Sequence, residues 1–127
     1  MPMALQVTER ISIHDLAVEA AARMYQAEGY EALIRHQPRP RLYGRPPFDL
    51  FIPVLERVQE VETSDTLPAA DLARLRRCRE DGLQVWVLVP LDTVAAAHAS
   101  LKGAADHVIP FWMLEGDRVR FGLPRRP

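Results

Sequence analysis

Apolar residues recur along the chain in two rhythms. From residue 13 to 28 they return every three or four positions, and Ile13, Leu16, Ala17, Ala20 and Met24 form one stripe, which predicts an amphipathic helix. Ser12 stands before it with Asp15 three residues on, a capping arrangement. Ile11 and Leu16 take the positions of a hydrophobic staple, and Gly29 stops the helix. From Tyr30 the period shortens to two: Tyr30, Ala32 and Ile34 alternate with Glu31, Leu33 and Arg35, so YEALIRHQ predicts a strand. PRPRLYGRPP is a loop by its prolines and glycine. FDLFI and RVQEVET then predict two neighbouring strands on either side of the Pro53 turn. After Pro68, DLARLRRCRE predicts a second helix, closed by Asp81 and Gly82. LQVWVLVP is continuously apolar and rich in valine, as a central strand covered on both faces should be. Asp92 offers a cap for a third helix, TVAAAHASLKGAA, and HVIPFWMLEGDRVRFGLP predicts a hairpin turning at Gly116 and Asp117 in a type II′ turn.

The order is thus helix, three strands, helix, strand, helix, hairpin: an α/β protein with one mixed central sheet flanked by helices. At 127 residues the chain makes a single domain, 1–127, in which 1–11 and 124–127 are expected to be flexible. No apolar stretch approaches the roughly 20 residues that cross a bilayer, so no membrane association is expected. MPMALQVTER lacks a basic segment leading into an apolar run, and the single cysteine, Cys78, excludes a disulfide framework or a cysteine-rich zinc site. A cytoplasmic location is the expectation. The net charge of −1 argues against a protein that coats nucleic acid by bulk electrostatics. Fifteen arginines accompany one lysine, so chemistry that requires a lysine has only Lys102 to draw on.

Chemistry concentrates in PPFDLFIPVLERVQEVETSD, residues 46 to 65. Side chains alternate along a strand, so Glu60 and Glu62 project to one side and Val61 to the other. If FDLFI lies alongside, Asp49 converges on the same place. Three carboxylates held together repel unless protons or a cation intervene, and a hard divalent ion such as Mg²⁺ or Mn²⁺ is the natural remedy. Such an ion can polarise a phosphodiester and activate a water. Glu-x-Glu on its own is commoner on a solvated strand face, with Arg57 or another arginine as partner. Asp49 differs, because an aspartate between Phe48 and Leu50 is poor strand material and needs a reason.

PPFDLFIPVLERVQEVET resembles the core motif of the PD-(D/E)xK nuclease superfamily, the restriction-endonuclease-like fold, and AEGYEALIRHQ matches the helix-to-strand approach to it. The resemblance spans residues 12–108 and implies an αβββαβ core, to which this chain adds a third helix and a C-terminal hairpin. It implies that Asp49 and Glu60 are metal-binding acids, with the Val61 carbonyl as a further ligand. Glu19 would match an acid that some members carry on the first helix; an ion pair with Arg23 one turn on is the plainer account. The chain departs from the pattern in two ways. Phe48, rather than proline, precedes Asp49, and Glu62 stands where the family has its lysine. A carboxylate cannot reproduce the electrostatics of that lysine, although some restriction enzymes of this fold use Glu-x-Glu, where the extra carboxylate serves as base or ligand.

The resemblance implies a Mg²⁺- or Mn²⁺-dependent endonuclease acting on DNA phosphodiesters through Asp49, Glu60 and Glu62, working as a homodimer. The alternative is a catalytically degenerate module of the same fold that binds DNA or a protein partner. For contact with DNA, the acid-free segment RHQPRPRLYGR offers Arg39, Arg41 and Arg45 beside the site, which are equally well the charges of a solvated loop. On the second helix Arg76 and Arg79 share a face with Leu72 and Leu75, so Arg76 is placed either to reach the acids or a phosphate or to snorkel at the stripe's edge.

Overall fold

The computed structural model describes residues 12–36, 38 and 46–127. Within them lie helix α1 (Ile13–Ala27), strands β1 (Leu33–His36), β2 (Phe48–Ile52) and β3 (Arg57–Val61), helix α2 (Leu72–Glu80), β4 (Gln84–Pro90), helix α3 (Val94–Ser100), and the pair β5 (His107–Leu114) and β6 (Arg118–Phe121). All six strands form one sheet in the order of the chain. β3, β4 and β5 run parallel in its centre, while β1, β2 and β6 are antiparallel to their neighbours. The expected α/β architecture with a mixed sheet is therefore present, as is the expected order of elements.

Two β-α-β crossovers step across the sheet in the same direction, so a shared hand puts α2 and α3 on the same face. Val58, Val85, Val87 and Val89 meet them there, together with Leu75, Cys78 and Leu101. The opposite face carries α1: Leu50, Ile52, Val61, Leu88, Ile109 and Phe111 pack beneath Ala17, Val18, Ala21, Ala22 and Tyr25. Each fully buried aliphatic side chain contributes about 1.5–3 kcal/mol. β4 supplies both layers, which explains its unbroken apolar sequence.

α1 starts as expected, with the Ser12 hydroxyl accepting the Asp15 N–H at 3.1 Å. Its buried side differs from the predicted stripe. Ile13 and Met24 are exposed, while Val18, Ala21, Ala22 and Tyr25 turn inward with Ala17 and Ala20. A run of small residues lets the helix lie close to the sheet over a broad strip, which the larger side chains alone do not mark. The staple lies partly outside the described residues, since Ile11 is not among them. Asp92 does not cap α3; its carboxylate accepts the Thr93 hydroxyl, and a 3-10 turn at Leu91–Thr93 leads in. The β5–β6 hairpin turns with positive φ at both Gly116 (71°) and Asp117 (60°), which is type I′ rather than type II′ geometry. The end of the chain, expected to be free, is pinned: Val108 and Arg125 exchange backbone hydrogen bonds of 2.8 and 3.0 Å. Gly122 crosses so close to Pro110 that a Cβ would sit 2.6 Å from its ring.

Candidate functional site

β2 and β3 pair regularly from Ile52↔Arg57 to Leu50↔Gln59. The next step of that register sets Asp49 against Glu60, and there the backbone ladder stops. In its place the Asp49 N–H donates to Glu60 Oε1 at 2.7 Å, and the Val61 N–H donates to Asp49 Oδ2 at 2.8 Å. Each carboxylate holds the other strand's backbone, and the two strands fork. The fork is local to one side of β3, because its other edge stays paired with β4 through Val61↔Leu88, and Glu62 N–H donates to the Leu88 carbonyl.

Asp49 disturbs its own strand as well. Phe48 joins the layer under α2 and α3, whereas Leu50 and Ile52 join the layer under α1, so the alternation of faces breaks at the aspartate. Opposite it on β1, Arg35 has φ of 52° and drops out of a register that resumes at His36↔Phe48. An aspartate in an apolar run thus marks the point where pairing fails on both sides.

The fork draws groups from both faces. From α1, His14 Nε2 stands 3.1 Å from Asp49 Oδ1, and its Nδ1 is 3.0 Å from Asp15, which also receives Arg35 at 3.6 Å. Burial works against a charge on His14, yet the hydrogen bonds and charges of Asp15 and Asp49 outweigh it and hold its pKa above the ordinary value. Glu19 lines the shallow groove over His14 and Asp49, and no ion pair joins it to Arg23 among the described residues. From the α2 side, Glu60, Glu62, Asp71 and Arg74 enclose a pocket of about 20 Å³, room for one water. Burial, then the Asp49 charge, pushes the Glu60 carboxyl up to about 8. Burial also raises Glu62, with Asp49 adding to it and a Thr66 hydrogen bond opposing. Glu62 Oε2 and Arg74 Nε are buried without a partner among the described residues.

Asp49, Glu60 and Glu62 therefore lie within electrostatic reach of one another. Val61 faces the fork too: its N–H points at Asp49, and in an extended strand the carbonyl of the same residue points the same way. This donor set, two carboxylates and a carbonyl, suits a hard cation that retains much of its water. No cluster of three or more histidine, cysteine, aspartate or glutamate side chains arranged for a metal is present among the described residues.

Arg76 is not at the fork. It is exposed and lines a groove with Arg79, Gly82 and Asp106 near the start of β4. Arg74 takes the inward position instead, 4% exposed, with its guanidinium 3.9 Å from the centre of the Phe48 ring and donating to the Pro46 carbonyl. It clamps the chain just ahead of Asp49. Counting Cys78 as apolar would have exposed this, because Arg74, Leu75 and Cys78 form the buried side of α2. His14 carries no sequence signal beyond its place in the first turn of a capped helix. Arg39, Arg41 and Arg45 lie outside the described residues. Cys78 is a buried thiol, raised to about 11 by that burial. No helix among the described residues is long and apolar enough to cross a membrane. No protein-family model matches the chain, and neither the curated proteins nor the solved structures give a match.

Proposed function

We propose that the chain is a nuclease-like protein of the restriction-endonuclease-like fold, binding Mg²⁺ or Mn²⁺ at the β2–β3 fork and hydrolysing DNA phosphodiesters. The observation that carries this reading is the reciprocal pair of hydrogen bonds by which Asp49 and Glu60 hold the strands apart. Two carboxyls kept together at a cost in desolvation and repulsion need either a proton or a cation between them, and a bound cation would take the place of the proton that Glu60 holds. Asp49, Glu60 and the Val61 carbonyl would hold the ion, which when bound supplies Lewis-acid polarisation of a phosphate and a more acidic water. The remaining work belongs to the chain. The Val61 and Asp49 N–H groups fix the two carboxylates, His14 orients Asp49, and Arg74 secures the approach of β2. Glu62, with one unpartnered oxygen, is the candidate base.

Calorimetric titration of Mn²⁺ tests this. Binding by the parent that is lost in Asp49→Ala and in Glu60→Gln supports the site, and nicking of supercoiled or branched DNA by the parent alone supports the activity. No heat of binding at millimolar Mn²⁺ would remove the metal and the reaction together.

One observation favours a second reading, a non-cleaving DNA- or protein-binding module of the same fold. The position of the family's lysine is Glu62, and Arg74, which lines the pocket with Glu60 and Glu62, is committed to Pro46 and Phe48. Metal-independent binding of a DNA duplex without nicking would select it.

A further inference from the structure

On the α1 face, away from the fork, a recess of about 260 Å³ opens between the C-terminal half of α1, the centre of the sheet and the chain beyond β6. Its floor is apolar, formed by Leu88, Ile109 and Phe121. One wall is polar and built in layers. The Arg57 guanidinium lies 3.6 Å from the centre of a Trp86 ring, and the indole also meets the His107 ring at 4.7 Å. Arg57 Nη1 donates to the Tyr25 hydroxyl at 3.0 Å, and that hydroxyl donates to Gln59 Oε1 at 2.5 Å. Arg57 Nε donates to Gln84 at 2.9 Å. Every partner of Arg57 is therefore neutral, and no carboxylate among the described residues forms an ion pair with it. Gln59, 2% exposed, spends its oxygen on Tyr25 and leaves its amide N–H groups unused.

From this wall and floor we infer that the recess binds a small monoanion with an apolar body, of the arylalkyl or branched-chain carboxylate class. The carboxylate takes the charge-assisted donors of Arg57 and the amide of Gln59, and the hydrocarbon part covers Leu88, Ile109 and Phe121. A half-buried cation whose partners are all neutral, beside an amide whose nitrogen makes no hydrogen bond to a described residue, has donors to spare for such a ligand. Contact with Trp86 and hydrogen bonds to Tyr25 and Gln84 restrain the guanidinium, which reduces the freedom lost on binding. Arg23, Arg118 and Arg120, which line the adjoining groove between α1 and β6, draw anions toward the opening. Glu28 is the single acid lining the recess, which suits one negative charge in the ligand rather than two.

The test is fluorescence titration in a Trp112→Phe background, where Trp86 is the sole indole. Phenylacetate should change its emission saturably, and the neutral phenylacetamide should bind at least about tenfold more weakly. Arg57→Gln should reduce phenylacetate to the level of the amide. Met24 is 49% exposed at the rim, so Met24→Phe narrows the opening without touching the core and should abolish binding even if Arg57→Gln fails to fold. Asp49→Ala should bind phenylacetate as the parent does, which separates this site from the fork. Equal binding of acid and amide, undiminished binding in Met24→Phe, or no saturable response overturns the inference.

Discussion

Gln59 and Glu60 are neighbours on one strand, and they serve two different environments. Gln59 faces α1, where its oxygen is matched to the Tyr25 hydroxyl and the groups around it are neutral or, in Arg57, stacked on an aromatic ring. Glu60 faces α2, among Glu62, Asp71 and Arg74, and burial keeps it protonated far above the ordinary carboxyl range. On one side of the sheet polarity is organised around one stacked cation and its neutral partners, and on the other around neighbouring carboxyls. A buried amide has no proton to gain or lose, whereas a buried carboxyl must settle its own. The charged side is thus the one whose stability and chemistry respond to pH and to cations.

The contrast can be broken most severely through Phe48, which fills the core beneath α2 and carries Arg74 on its ring. Phe48→Ala should cost about 3–5 kcal/mol in urea unfolding and loosen the start of β2 next to Asp49. A loss under about 1 kcal/mol would mean that Arg74 and the fork do not depend on this packing.

Next in size is a pH effect. Unfolded, Glu60 titrates near its ordinary 4.5; folded, it keeps its proton to about 8. Between those values the folded state binds more protons, so stability is greatest below about 4.5 and falls as the pH rises through 8. Glu62 is shifted in the same direction. Glu60→Gln should flatten this decline, recovering about 2–4 kcal/mol at pH 8.5 relative to pH 5 when the two proteins are unfolded in urea. Parallel pH curves for parent and variant would show that Glu60 carries no such burden.

The neutral side should respond least. Tyr25→Phe removes the link between Arg57 and Gln59 and should cost about 1–2 kcal/mol at every pH from 5 to 8.5. A loss that varies with pH would show that the Tyr25 hydrogen bonds are coupled to a titrating group such as His107.

Much of this arrangement was legible in the sequence because it rests on local pattern. The periodicities locate every α-helix and strand among the described residues, and the alternation along RVQEVET puts Glu60 and Glu62 on one side. Asp49, flagged as unsuitable for a strand, proved to sit where the ladder opens. What could not be read depended on contacts between elements. Periodicity in α2 allowed two apolar faces about a quarter-turn apart, and only packing against Phe48 selects the one that includes Arg74. The pairing of His14 with Asp49 joins residues 35 positions apart and has no local signature. The layered wall of Tyr25, Arg57, Gln59 and Trp86 likewise combines three elements, none of them unusual alone.

The margins of the sheet carry a consequence for how copies of this chain meet. β1 and β6 have four residues each; β1 is kinked by the left-handed Arg35, and β6 alternates Arg118 and Arg120 outward. Short, bent or cationic borders make poor templates for a strand from another molecule. Pairing of these borders with a strand from another molecule is therefore disfavoured relative to contacts through the helical surfaces.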